Sequence, residues 1–231
     1  MNLPEPPLLI ITDRHQARAP LAALAGAAFR AGGRWLMLRE KDLDAAARLA
    51  LLKHLIALGA RYGAAVTVNT DLAAARAAGA AGVHLPAGAD PAAARAALGA
   101  EALIGYSAHD EREAMAAAAA GADYVTLSPV FESASKPGYG PCLGPEGLRA
   151  AAARVPVPVV ALGGVTAANA GSCLGAGAAA VAVMGPVMRA ADPGAVVAEF
   201  LAAIGRPAPG SRTAFRRRVE GRIRTSPPRK T

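Results

Sequence analysis

Ser107 and His109 stand two residues apart at the end of an apolar run, in Gly105-Tyr106-Ser107-Ala108-His109. An imidazole near neutrality can take a proton and return it, so His109 is the leading candidate acid–base group, with the Ser107 hydroxyl beside it. Arg39, Lys41 and Lys136 are cations that follow other short apolar runs, and together they suit an anionic, phosphorylated small molecule. Gly163-Gly164 and Met184-Gly185 end two further runs. Glycine lets backbone N–H groups approach a phosphate closely, and a following helix N-terminus adds the positive end of its dipole. Asn69 closes another run, and Ser133 and Ser135 share a long loop with Lys136 whose composition is that of a lid over a polar ligand. His84 sits inside an apolar run and reads as a hydrogen-bonded core histidine, while His15 and His54 read as surface residues.

Chemistry spread over so many short segments needs a scaffold that gathers segment ends. The chain alternates apolar runs of four to six residues with helical patterns. Strands are expected at Leu8–Thr12, Trp35–Leu38, Ala65–Val68, Gly82–Leu85, Ala102–Gly105, Tyr124–Leu127, Val157–Leu162 and Ala179–Met184. Helices are expected between them, with start signals at Asp42 or Asp44, Asp90-Pro91, Asp110 and Asp192-Pro193. Eight strands and eight helices in alternation predict a single-domain parallel (β/α)8 TIM barrel over residues 1–204, with its chemistry at the C-terminal strand ends. The glycine loops after strands seven and eight are the usual phosphate cradle of such a barrel. A doubly wound open sheet is the alternative, but neither a dinucleotide-binding nor a P-loop glycine fingerprint occurs.

Composition narrows the function classes. Aromatic residues make up 4%, too few for stacking nucleic-acid bases. No apolar run is long enough to cross a membrane and no signal-peptide pattern opens the chain, so a cytoplasmic protein is expected. Cys142 and Cys173 have no metal or disulfide spacing, and no metal site is expected from them. The net charge of +8 belongs to the C-terminus: from Gly205 onward there are nine Arg and Lys residues against Glu220 alone, so the first 204 residues are balanced. Residues 205–231 read as a disordered basic tail, whose contact with nucleic acid would be weak and salt-dependent.

The chain resembles the thiamine phosphate synthase/TenI family. The resemblance is carried in order by Ile11-Thr12-Asp13, Leu38-Arg39-Glu40-Lys41, Gly82-Val83-His84-Leu85, Gly105-Tyr106-Ser107-Ala108-His109, Ala122-Asp123-Tyr124-Val125, Pro129-Val130-Phe131, Ala161-Leu162-Gly163-Gly164-Val165 and Ala182-Val183-Met184. The synthase branch joins a hydroxymethylpyrimidine pyrophosphate to a thiazole phosphate and releases pyrophosphate, with Mg²⁺ on the pyrophosphate. This chain departs from that branch at Met37, where the family pattern has Gln, and at Thr70, where it has Asp. Pro86-Ala87-Gly88-Ala89 precedes a displaced Asp90 where the pattern has its second metal-binding Asp. Ser133-Ala134-Ser135-Lys136 stands for the branch's Thr-x-Thr-Lys loop. Loss of both carboxylates removes the hard oxygen ligands Mg²⁺ prefers, unless Asp71 or Asp90 replaces them.

The TenI branch, whose characterised type is a thiazole tautomerase, carries a Ser-x-His that Ser107-Ala108-His109 matches. The preferred expectation is therefore an isomerase that needs no cofactor. In it His109 shuttles a proton on a carboxylated thiazole phosphate, with Ser107 and Lys136 beside it. Arg39 or Lys41 would hold the carboxylate, Asn69, Ser133 and Ser135 would add contacts, and Gly163, Gly164, Met184 and Gly185 would hold the phosphate. The alternative is the Mg²⁺-dependent synthase. A third reading is a non-catalytic sensor of a thiazole or thiamine phosphate. A homo-oligomer is compatible with all three.

Overall fold

Every residue of β1 (Leu8–Ile11) and β2 (Trp35–Leu38) is apolar and buried, as a strand covered on both faces requires. β3 (Ala65–Asn69), β4 (Gly82–Leu85), β5 (Leu103–Ala108), β6 (Tyr124–Leu127), β7 (Val159–Ala161) and β8 (Ala180–Val183) are likewise largely buried, with polar residues in β3 to β6. In the computed structural model, which describes residues 2–133 and 141–205, these strands pair in parallel and in sequence order. β8 closes on β1, with Leu9 opposite Ala182. The protein is a TIM barrel, as the alternation predicts.

The helices α1 (Leu21–Arg30), α2 (Ala45–Ala60), α3 (Leu72–Ala78), α4 (Pro91–Leu98), α5 (Glu111–Ala119), α6 (Gly144–Arg154) and α7 (Ala167–Gly175) alternate with the strands. After β8 come a short α8 (Gly185–Met188) and α9 (Pro193–Ile204). Asp44, Asp71, Asp90, Asp110 and Asp192 each accept a backbone N–H at a helix start. Asp44, not Asp42, caps α2, because Asp42 is drawn into an exposed pair with Arg14 and His15.

Two apolar layers result. One lies between strands and helices and includes Leu24, Phe29, Leu55, Val83, Leu148 and Phe200. The other contains strand residues only, among them Leu9, Trp35, Met37, Leu103, Tyr124 and Val160, and fills the barrel interior. Trp35 and Tyr124 meet there edge to face at 5.0 Å between centroids. Toward the strand C-termini this interior changes from apolar to polar, through Thr67, His84, Ser107 and Thr126.

Two expectations are corrected here. β5 runs to Ala108 rather than ending at Gly105, since Tyr106, Ser107 and Ala108 continue the ladder opposite Val125, Thr126 and Leu127. Ser107 is therefore a strand residue facing inward. The short α8 had no counterpart in the sequence reading, because four residues are too few to carry a helical period. No helix among the described residues is long and apolar enough to cross a membrane.

Candidate active site

The strand C-termini open onto one cavity of about 1320 Å³. Arg39, Lys41, Asn69, Ser107, His109 and Ser133 line it, as do Gly163, Gly164, Met184 and Gly185. Every sequence-predicted site residue that the structure describes thus reaches one space. Ser135 and Lys136 lie outside the described residues.

The wall from β1 to β3 is built of charges held by one another. Glu40 is buried, and its carboxylate accepts the Thr12 hydroxyl at 2.7 Å and the Arg14 backbone N–H at 3.1 Å. Thr12 Oγ1 in turn accepts the Arg39 N–H at 2.9 Å. This knot sets the backbone from which the Arg39 and Lys41 side chains leave. Next to it Asp71 caps α3 through Ala74 N–H and pairs with Arg48 Nε at 2.8 Å. Burial works against the Asp71 charge, but the Ala74 N–H and the Arg48 guanidinium outweigh it and hold this carboxyl below the usual range. Arg48 also donates from Nη1 to Leu43 O, at 2.8 Å. Between Asn69 and Asp71 the chain turns through Thr70 at φ 69°, a left-handed conformation that a β-branched residue seldom adopts. Asn69 Nδ2 donates to the Thr70 hydroxyl at 2.8 Å and braces that turn.

The wall from β7 to β8 is built of backbone. Gly163 and Gly164 have φ of 95° and 61° and pass under the segment after β6. A Cβ on Gly163 would lie 2.8 Å from Pro129 Cα, and one on Gly164 would collide with Glu132 O and Phe131. The N–H groups of both glycines have no acceptor among the described residues. Asn169 Nδ2 donates to Gly164 O at 3.0 Å, which turns that carbonyl toward α7 and fixes the peptide plane after it. Gly185 opens α8 beneath Arg189, whose guanidinium would lie 2.5 Å from a Cβ at that position. Arg189 is held there by Gln16.

The floor between the walls is a buried polar chain. His84 Nδ1 lies 3.0 Å from the Tyr124 hydroxyl, and its Nε2 lies 3.0 Å from Ser107 Oγ and 3.3 Å from Thr126 Oγ1. Burial, with the Arg39 charge adding to it, pushes the His84 imidazole down to about 4. Burial likewise pushes the Tyr124 phenol up, so it keeps its proton. His84 is the hydrogen-bonded histidine expected of its apolar strand, but it also touches Ser107. His109 lies past the end of β5, half-exposed, with Nδ1 and its backbone N–H both directed at Glu113 Oε2, at 3.1 and 2.9 Å.

Sequence reasoning missed Arg48 and Arg189. Arg48 stands on a helix and Arg189 just past one, neither of them at a strand end. Arg48 sits one turn into α2 and Arg189 just after α8, and nothing in their local pattern marks them as facing a cavity.

The arrangement defines a class: a TIM barrel with a rim cavity adapted to phosphorylated small molecules. The family model described as Thiamine monophosphate synthase matches residues 8–187. A Geobacter sulfurreducens protein named putative thiamine-phosphate synthase is 44% identical over 188 residues, covering 80% of this chain and 88% of its own. The thiamine-phosphate synthase of Salinispora tropica is 42% identical over 200 residues, covering 85% and 96%. That of Chromobacterium violaceum is 46% identical over 176 residues, covering 75% and 84%. Among solved structures, thiamine phosphate pyrophosphorylase from Pyrococcus furiosus superposes with a TM-score of 0.78 at 29% identity, over 86% of this chain and 95% of that one. The chain belongs to the thiamine monophosphate synthase/TenI family.

These relatives overturn the isomerase reading, since the proteins at 42 to 46% identity are named as synthases. The physical reason for the error is that Ser107-Ala108-His109 does not discriminate. A strand ending in Ser-x-His delivers a hydroxyl and an imidazole to the rim whichever reaction follows. His109, Ser107 and Lys136 were assigned to that isomerisation, and they now have to be considered for the coupling reaction instead.

The Mg²⁺ that the synthase resemblance implies can be tested against the donors present. Mg²⁺ is commonly bound by one or two carboxylates together with substrate phosphate oxygens. Among the described residues no cluster of three or more His, Cys, Asp or Glu side chains could hold a metal by itself. Asp90 caps α4 and is not among the cavity-lining residues. Asp71 lines the cavity, and its charge is favoured by backbone N–H groups and Arg48. It fits the part of a single protein carboxylate for such an ion.

Proposed function

We propose that this chain is a thiamine-phosphate synthase, joining a hydroxymethylpyrimidine pyrophosphate to a thiazole phosphate with release of pyrophosphate. The observation that carries the reading is one cavity of about 1320 Å³ with anion-receptive elements on two sets of strands, β1 to β3 and β7 to β8. It exceeds the roughly 300–1,000 Å³ of a single small-molecule pocket. An isomerase needs one phosphate site, whereas a coupling enzyme needs two, with the reacting carbons between them.

The glycine wall suits the thiazole phosphate. Gly163 and Gly164 offer N–H groups without acceptors, Met184-Gly185 opens α8, and Arg189 adds a guanidinium able to meet phosphate through two donors. The charged wall suits the pyrophosphate, through Arg39, Lys41 and Asn69, with Arg48 behind them. Ser133 lines the same space, and Ser135 and Lys136, which follow it in sequence, are assigned to the same leaving group. Coupling breaks the carbon–oxygen bond to pyrophosphate and forms a bond from the thiazole ring to that carbon. The chain's own contribution is then positioning of the two reactants and stabilisation of the charge that builds on the departing oxygen. Ser107, at the cavity floor, is placed to donate to that oxygen or its neighbours. Mg²⁺, held by Asp71 with the pyrophosphate oxygens, would neutralise part of the same charge.

We place the catalytic unit at residues 1–204 and assign the basic residues 205–231 no part in turnover. The test is purified full-length protein given both substrates, with Mg²⁺ and then with chelator, followed by chromatography for thiamine phosphate and an assay for released pyrophosphate. Stoichiometric appearance of both is expected. Absence of both with Mg²⁺ present overturns the reading.

A further inference from the structure

We infer that Tyr124 and His84 are positioning residues that fix the Ser107 hydroxyl as a hydrogen-bond donor into the cavity. The argument is one of elimination along a buried chain. The Tyr124 side chain is fully buried, and its hydroxyl has one hydrogen-bond partner among the described residues, His84 Nδ1 at 3.0 Å. A buried phenol whose proton had no acceptor would cost a full desolvation penalty. Tyr124 therefore donates, and Nδ1 accepts with its lone pair. In a neutral imidazole the other nitrogen then carries the proton. His84 Nε2–H faces two hydroxyl oxygens, Ser107 Oγ at 3.0 Å and Thr126 Oγ1 at 3.3 Å, and donates to the nearer; Thr126 lines the cavity as Ser107 does, so its own proton does not need the His84 nitrogen.

Ser107 Oγ, having accepted from His84, is left with its own proton, and no other acceptor for it stands among the described residues. Ser107 lines the cavity, so that proton is available to an anionic oxygen of a bound ligand. The reverse order of donors would make Ser107 spend its proton on His84, present only lone pairs to the anion, and strand the Tyr124 proton in the core. The backbone is built to permit the contact: a Cβ at Gly105 would overlap the Tyr124 ring and His84 Nδ1. Tyr124 is itself held in place by its edge-to-face contact with Trp35.

The kinetic part of the test rests on the proposed synthase activity, and the spectroscopic part does not. Full-length protein labelled with ¹⁵N in histidine, observed near neutral pH, should show His84 with a pyrrole-type Nε2 and a pyridine-type Nδ1, its signals assigned by their loss in His84→Asn. In Tyr124→Phe, which keeps the ring and its packing, the tautomer population should shift. A His84 protonated on Nδ1 in the wild type overturns the inference, as does a population unchanged in Tyr124→Phe. In turnover, Tyr124→Phe should lower kcat roughly ten-fold, about the worth of one hydrogen bond to a charged group, with KM for the thiazole phosphate unchanged. Because Tyr124 acts through Ser107, it should cost nothing further in a Ser107→Ala background. Additive losses overturn the inference. A protein that makes no thiamine phosphate would sink the synthase reading alone, and the His84 spectrum would still decide this one.

Discussion

The two walls of the cavity are built by opposite means. From β7 to β8 the chain offers backbone, shaped by Gly163 and Gly164 at positive φ and by the close passage of the segment after β6. From β1 to β3 it offers side chains, each held by another: Thr12 and Arg14 on Glu40, Arg48 on Asp71. A backbone cradle cannot be retuned by one side chain without a collision, whereas a charge network can lose a member and keep its shape. The first should therefore fail by misfolding and the second by weaker binding.

The sharpest break of this contrast is Gly164→Ala. The new Cβ collides with Glu132 O and Phe131, at a φ that side chains rarely adopt. A loss of about 3 kcal/mol or more is expected from overpacking and strain together, read as a fall in the denaturant midpoint. An unchanged midpoint would mean that the glycines are only a turn.

Smaller effects should separate the two ends by substrate. Arg189→Ala should raise KM for the thiazole phosphate roughly ten-fold, the worth of one charge-assisted contact, and leave KM for the pyrimidine pyrophosphate unchanged. Arg39→Ala should do the reverse. Parallel rises for both substrates in either variant would dissolve the division into two ends.

Arg48→Gln sharpens the charged side by its pH dependence. The folded Asp71 carboxyl lies below its usual value, so its contribution to stability is present above the unfolded pKa of about 3.9 and is lost as pH falls through the folded value. The destabilisation by Arg48→Gln should be under about 1 kcal/mol near neutrality, as for a partly solvated pair, and should fade below about pH 4. Melting curves of both proteins across that range check it, and a difference that persists in acid would deny that Asp71 is the partner that matters. A loss smaller than at Gly164 is expected at Gly63→Ala, where φ is 64° but nothing lies within 4 Å of a new Cβ. A loss of roughly 1–2 kcal/mol isolates the conformational part of the Gly164 effect from its collision.

The barrel was legible because its strands are buried on both faces and its helices are capped in sequence. Continuous apolar runs, Asp at helix starts and glycine at loop ends are local features with local causes. Gly163, Gly164, Arg39, Lys41, Asn69 and Ser107 were found for the same reason, standing where strands stop. Arg48 and Arg189 were not, since each reaches the cavity only after α2 or α8 has packed against the sheet. The reaction was misread from Ser107-Ala108-His109, a tripeptide whose placement at the rim does not depend on which bond is made or broken.

The amino-acid sequence by itself determined the order of the architecture, because a parallel barrel follows from which residues must be buried and how far apart they lie. Closure of the barrel decided the rest. Only when β8 lies against β1 does Arg189 come to Gln16, and only when β4, β5 and β6 lie side by side does His84 stand between Tyr124 and Ser107. Hydrogen bonds between residues 23 to 173 positions apart cannot be read from spacing, because they depend on the full course of the chain between them.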